Sequence, residues 1–135
     1  MKISAMKKLL FLIPVFLLLL CACDNREDEF SNEAYTGTWK WVSTAGPNVN
    51  ETPLSTGKTV SLDFTSEWQY TISENDVEIS SGTYSLYEDV SSTDHQQRMF
   101  IQFSADGIKI VKEINATTLS LQDDDVTGLT YHHEK

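Results

Sequence analysis

Beyond residue 23 this chain contains no cysteine, because both of its cysteines, Cys21 and Cys23, fall at the end of the first 23 of its 135 residues. Whatever the redox compartment, the remainder can form no internal disulfide. Positive charge is scarce as well. All 20 acidic residues lie after Cys23, against 7 basic ones once Lys2, Lys7 and Lys8 are set aside, so that part carries about −13 with a blocked N-terminus. A charge of this sign repels nucleic acid and anionic lipid headgroups, and neither is expected as a partner. Catalytic motifs are missing too: there is no Gly-x-Ser-x-Gly, no His-Glu-x-x-His and no phosphate-cradling glycine loop. His132 and His133 are adjacent on what reads as a strand, so they point to opposite faces and cannot chelate one metal together. His95 stands in a polar stretch with no evident partner. The chain therefore reads as a non-enzyme with no cofactor and no metal site.

A hydrophobic run long enough to span a membrane is also lacking. Leu9–Leu20 is only a dozen residues and is interrupted by Pro14, whereas a spanning helix needs about 20 apolar residues. Three lysines before a short apolar run, with a small residue just ahead of a cysteine, make a cleaved export signal. Leu20-Cys21-Ala22-Cys23 resembles the lipobox of bacterial lipoproteins, in which the cysteine becomes the mature N-terminus and carries lipid. Cleavage needs a small residue immediately before that cysteine. Ala22 supplies one for Cys23, and Leu20 does not for Cys21. The resemblance implies that residues 1–22 are removed and that Cys23 is lipidated and holds the protein to a membrane. Several acyl chains suffice for stable anchoring, at about 0.8 kcal/mol per buried methylene. Residues 23–34 then form an acidic tether, with Asp24-Asn25-Arg26-Glu27-Asp28-Glu29 polar and aperiodic. Such a cluster is similar to the surface-export signal of Bacteroidota lipoproteins, while Asp24 alone resembles the inner-membrane retention signal of enterobacteria. The expected location is the outer membrane, with its face left open.

Residues 35–135 make one domain, large enough for a single core. Its apolar residues alternate, as in Val60/Leu62/Phe64, Trp68/Tyr70/Ile72, Val77/Ile79, Met99/Ile101/Phe103, Ile108/Ile110, Leu119/Leu121 and Leu129/Tyr131. Period two is the pattern of half-buried strands, and no stretch after the signal has a comparable helical period. Breaks at Asn75-Asp76, Ala105-Asp106-Gly107 and Asn115-Ala116 suit tight hairpins, since Asn, Asp and Gly accept positive φ. Eight strands are predicted, over 37–45, 58–65, 67–73, 76–87, 98–104, 107–114, 117–122 and 128–134, with long polar connections at Ser43–Gly57 and Glu88–Gln97. Sequential antiparallel strands with short links form a meander, and closure removes its edges. The expected fold is all-β, an eight-stranded antiparallel up-and-down barrel, with an open sandwich as the alternative.

Tyr35-Thr36-Gly37-Thr38-Trp39-Lys40-Trp41 opens the first of these strands. It resembles the start of a lipocalin, where Gly-x-Trp enters the barrel and the Trp packs across its closed end. On that resemblance Gly37 and Trp39 are structural motif residues, and the long Ser43–Gly57 connection corresponds to the lid over the open mouth. The domain as a whole is similar to the short lipocalin-like lipoproteins of Bacteroidota, including the hairpin that runs from Leu119 to Tyr131. A Thr-Asp-Tyr second motif is absent, as is the late arginine that stacks on the motif tryptophan; Lys135 is the one Lys or Arg near that end.

A barrel of this size either fills with its own side chains or holds one small ligand. Aromatic residues at strand spacing belong first to the core. If a pocket exists, it is expected at the mouth under Ser43–Gly57, lined by residues such as Trp68 and Tyr70. Asp123, Asp125, Thr127, Gly128 and Glu134 fall at EF-hand ligand spacing. The flanks read as strands and not helices, so this stretch is expected to be a solvated hairpin turn. These features together describe a lipid-anchored, non-enzymatic envelope lipoprotein that binds a small hydrophobic ligand or an extracellular partner. The alternative is an accessory subunit of an envelope complex, with a filled barrel and no ligand.

Overall fold

The structure, a computed structural model, describes residues 30–135. The export signal, Cys21, Cys23 and the first part of the acidic tether lie outside the described residues. Nine strands are present: β1 Gly37–Gly46, β2 Val49–Glu51, β3 Val60–Phe64, β4 Gln69–Glu74, β5 Val77–Val90, β6 Gln97–Phe103, β7 Gly107–Ile114, β8 Thr118–Gln122 and β9 Thr130–Glu134. A single turn of helix, α1 Pro53–Thr56, interrupts them. All belong to one antiparallel sheet in the order β2-β1-β3-β4-β5-β6-β7-β8-β9, and a further β1–β9 pairing closes it into a ring. β1 makes this closure by pairing with β3 through Gly37–Lys40 and with β9 through Lys40–Ala45. Because the closed ring and its core lie within residues 30–135, a chain beginning at Asn25 keeps every described strand and is a folding unit.

The alternation of the sequence builds the interior. Trp39, Leu62, Phe64, Tyr70, Tyr84, Ile101, Phe103, Leu119 and Leu121 converge there and are buried. Phe64 touches Tyr84 and Phe103, with ring centroids 4.7 and 6.0 Å apart. Asn75 and Asp76 both take positive φ, 50° and 66°, the conformation of a type I′ hairpin turn. Gly82 pairs with Tyr70 across β4 and β5. A Cβ there would lie 2.1 Å from Ser104 Oγ and 3.2 Å from the Tyr70 ring, so a side chain at this position would displace the Ser104 hydroxyl and press on the aromatic that crosses β5.

Several expectations are corrected. The Ser43–Gly57 segment is not a plain loop. β1 runs on to Gly46, β2 folds back on it, and Thr52 caps α1 by accepting from Ser55 N at 3.1 Å. β5 extends to Val90, which shortens the second long connection to residues 91–96. Val77 and Ile79, expected to be half-buried, are exposed; β5 shifts register between its partners for Ile72 and Ser73. On β7 the apolar pair Ile108/Ile110 faces outward. The interior side carries Lys109, opposite Ile101, and Val111, which packs on the core. Ile110 and Phe100 are nonetheless buried, forming with Tyr87 a second apolar layer on the other face of the sheet; the Tyr87 and Phe100 rings stack at 5.5 Å. Asn32, assigned by the sequence to the tether, belongs to the folded part. Its side-chain amide donates to Ser66 O at 3.1 Å and to Tyr84 Oη at 3.1 Å, and its carbonyl accepts from Tyr35 N at 3.0 Å.

Candidate functional site

The two ends of the ring differ. At the end where β1 starts and β3 finishes, Trp39 is fully buried, and its indole N–H donates to Tyr35 O at 2.7 Å. Lys135 Nζ stands 4.6 Å from the centroid of the Trp39 ring and donates to Thr36 O at 2.9 Å. A lysine therefore covers the motif tryptophan, an arrangement in which ammonium and ring quadrupole attract. Trp68, with φ +63°, sits in the β3–β4 turn of this same end, its ring 5.2 Å from that of Tyr84.

The other end holds a cavity of about 460 Å3 beside the 43–57 segment. Its apolar wall is Trp41, Val60, Leu62, Ile72, Phe103 and Leu121. Thr44, Thr56, Tyr131 and His133 add polar groups, and Glu51, Lys58, Glu74, Asp106 and Lys109 add charge. Trp68 and Tyr70 are not in this wall. Trp68 is held at the opposite end by its turn. Tyr70 is buried in the core with its ring 4.8 Å from that of Phe103, and its hydroxyl donates to Asp106. The residues that do line the cavity are placed by local irregularities. A register shift between Trp41 and Ser43 turns both Trp41 and Thr44 inward, and Trp41 Nε1 donates to Thr44 Oγ1 at 2.9 Å.

Most polar groups of the wall are paired. Lys58 meets Glu74 at 3.7 Å. Lys109 pairs with Asp123 and lies over the Tyr131 ring, 4.7 Å from its centroid. Tyr131 Oη donates to Asp123 Oδ2 at 3.0 Å. Burial, reinforced by Asp123 and nearby carboxylates, pushes the Tyr131 hydroxyl up to about 12, so it stays protonated. Asp106 accepts from Ser80 Oγ at 2.6 Å as well as from Tyr70.

His133 differs from these groups. It is only 7 % exposed, and its Nδ1 is buried without a hydrogen-bond partner among the described residues. Burial holds its imidazole down at about 4, although the Leu119 and Tyr131 backbone favours the charged ring. It is therefore neutral at pH 7. Its neighbour His132 points to the other face and shares a 2.8 Å hydrogen bond with Ser120 Oγ. The sequence separated the two histidines correctly by face but did not mark His133 as a cavity residue. The signal was available, because His133 shares a strand face with Tyr131 and sits opposite Leu119 and Trp41.

The acidic stretch with EF-hand spacing has another arrangement. Asp123 turns to Lys109 and Tyr131. Asp124 accepts from Ser91 Oγ, Ser92 N and Thr93 N at 2.8, 3.0 and 3.2 Å, tying this loop to residues 91–96. Asp125 accepts from Thr127 N and Gly128 N at 2.9 and 3.1 Å. These donors, the Ser92 amide foremost for Asp124 and the Thr127 hydroxyl for Asp125, hold both carboxyls below the usual range. Among the described residues no group of three or more His, Cys, Asp or Glu is arranged to hold a metal ion. Among them also, no helix is long and apolar enough to cross a membrane.

Comparison with known proteins returns no match: no family model, no curated protein and no solved structure aligns with the chain. What defines the protein is thus its own geometry, an all-β sheet closed in a ring with an open pocket at one end.

Proposed function

We propose that the protein is a lipid-anchored, non-enzymatic envelope lipoprotein whose closed sheet is a lipocalin-like up-and-down barrel that binds a small, largely apolar molecule inside. The observation that carries the reading is the cavity of about 460 Å3 with its wall of Trp41, Val60, Leu62, Ile72, Phe103 and Leu121. Its size falls in the range of small-molecule sites, which are mostly apolar with a few placed polar groups. The accessory-subunit reading, with a filled barrel and no ligand, is the alternative. Gly37 and Trp39 at the start of β1 and the lysine over the indole support the lipocalin-like assignment. Anchoring rests on Leu20-Cys21-Ala22-Cys23. Residues 32–36 lie at the Trp39 end, so the cavity is at the end of the ring opposite the first described residues.

Native mass spectrometry of the chain from Asn25 onward, purified from its own host, tests the binding reading. A co-purifying small molecule is expected, and its repeated absence favours the accessory role. For the anchor, Cys23→Ser is expected to abolish incorporation of labelled palmitate while Cys21→Ser leaves it intact. Loss of label in both variants would move the cleavage site.

A further inference from the structure

The charges that line the cavity are unevenly matched. Lys58 is paired with Glu74, and Lys109 with Asp123. Glu51 and Asp106 line the same space, are exposed, and form no ion pair among the described residues. An anionic headgroup entering here would find both lysines engaged and two carboxylates opposing it. A cationic one would find two carboxylates without a counter-charge. The part of the chain after Cys23 is itself strongly acidic, which adds a long-range bias of the same sign. The negative field reaches into the cavity, where the Tyr131 hydroxyl is raised first by burial and then by Asp123, Asp125 and Glu51.

Asp106 is the better fixed of the two unmatched carboxylates. It stands in the turn between β6 and β7, and its Oδ2 accepts from the Tyr70 hydroxyl and from Ser80 Oγ, the latter at 2.6 Å. Both donors are neutral hydroxyls, so they orient the carboxylate without cancelling its charge. Tyr70 in turn packs its ring 4.8 Å from that of Phe103, which belongs to the apolar wall. A carboxylate oriented in this way loses less freedom on pairing than a mobile one. The aromatic faces of the wall attract a cation as well. The protein already seats one cation of its own by these means, because Lys109 lies over the Tyr131 ring and pairs with Asp123.

We propose that the cavity takes an apolar molecule bearing one protonated amine, with its apolar body against Trp41, Leu62, Ile72 and Phe103 and its ammonium paired with the Asp106 carboxylate. The inference rests on the binding reading above and specifies its ligand. An alkylamine, like the lysine side chain, is charged at pH 7.

Four probes of similar size and different chemistry test it: butylbenzene, phenylbutanol, phenylbutylamine and phenylbutanoate, titrated at pH 7 by calorimetry into the chain from Asn25 onward. The amine should bind tenfold or more tighter than the alcohol, the hydrocarbon and the carboxylate. In Asp106→Asn, whose side-chain oxygen can still accept from Tyr70 and Ser80, the ratio of amine to alcohol affinity should fall to within threefold. If the alcohol or the hydrocarbon matches the amine, if the carboxylate binds tightest, or if Asp106→Asn keeps the tenfold ratio, the inference falls and cavity binding stands. If no probe binds at millimolar concentration, the binding reading falls and takes the inference with it. The wild-type chain gives an independent readout should Asp106→Asn fail to fold or to bind. The Asp106 side-chain carboxyl carbon resonance should move on adding the amine and not on adding the alcohol; equal or absent movement overturns the pairing.

Discussion

Trp39→Ala is expected to destabilise the folded chain by about 3–5 kcal/mol, the range for truncating a large buried aromatic. The indole is fully buried, its N–H is bonded to Tyr35 O, and its face carries the Lys135 ammonium. Removing it empties the end of the ring, orphans the Tyr35 carbonyl and strips the lysine of its ring at once. A domain of about 100 residues has only about 5–15 kcal/mol in total. At about 4–8 °C per kcal/mol, the midpoint of thermal unfolding followed by circular dichroism should fall by roughly 12–40 °C. Trp41→Ala is the contrast. Trp41 is half-buried and borders empty space, so its loss enlarges a cavity already present and should cost less. A Trp39→Ala midpoint within about 5 °C of wild type would show that the tryptophan does not close this end.

How far the fold could be read in advance depended on the length and regularity of each element. β3, β4 and β8 alternate cleanly over five or more residues, and the β4–β5 and β6–β7 turns carry Asn, Asp or Gly where positive φ is needed, whereas Trp68 and His95 take positive φ in the β3–β4 and β5–β6 connections. β2 has three residues, too few to show any period. α1 is a single turn, set by the reciprocal Thr52–Ser55 cap, with Pro53 at its start and Gly57 after it, and not by any apolar stripe. On β7 the pattern was regular but misleading, because apolar Ile108 and Ile110 serve the outer face while Lys109 enters the interior and is neutralised there by Asp123. The expectation of a pocket beside residues 43–57 comes from the lipocalin resemblance and the length of that connection. Its lining could not be read this way, because the irregularity after Trp41 and the left-handed conformation of Trp68 decide which aromatics reach the space. An unpaired nitrogen is a property of tertiary surroundings, and no one-dimensional pattern contains it.

His133 should also make stability depend on pH in a window of its own. An unfolded histidine titrates near 6.5, whereas burial holds the folded one at about 4. Between these values the unfolded chain binds the extra proton, so protonation favours unfolding. The contribution of His133 is fully present above about pH 6.5 and is lost progressively as pH falls toward 4, reaching about 3 kcal/mol in all. The carboxyls of Asp94, Asp124 and Asp125 are held below the ordinary carboxylate range by their donors, so the stability they contribute is lost in a more acidic window. Glu51, Glu74, Asp106, Lys58 and Lys109 share the cavity with His133, and His132 adjoins it on β9. All of them persist in His133→Leu and largely cancel in a comparison of the two proteins. Urea unfolding at pH steps from 8 to 4 should therefore give stabilities with a constant offset on the neutral side and a difference that grows in favour of leucine below about pH 6. Relative to its neutral-pH offset, the leucine variant should gain about 2–3 kcal/mol on wild type by pH 4.5. Curves that stay parallel across this range would mean that the imidazole takes up its proton without leaving the fold, with solvent or a cavity-lining carboxylate stabilising the charged ring.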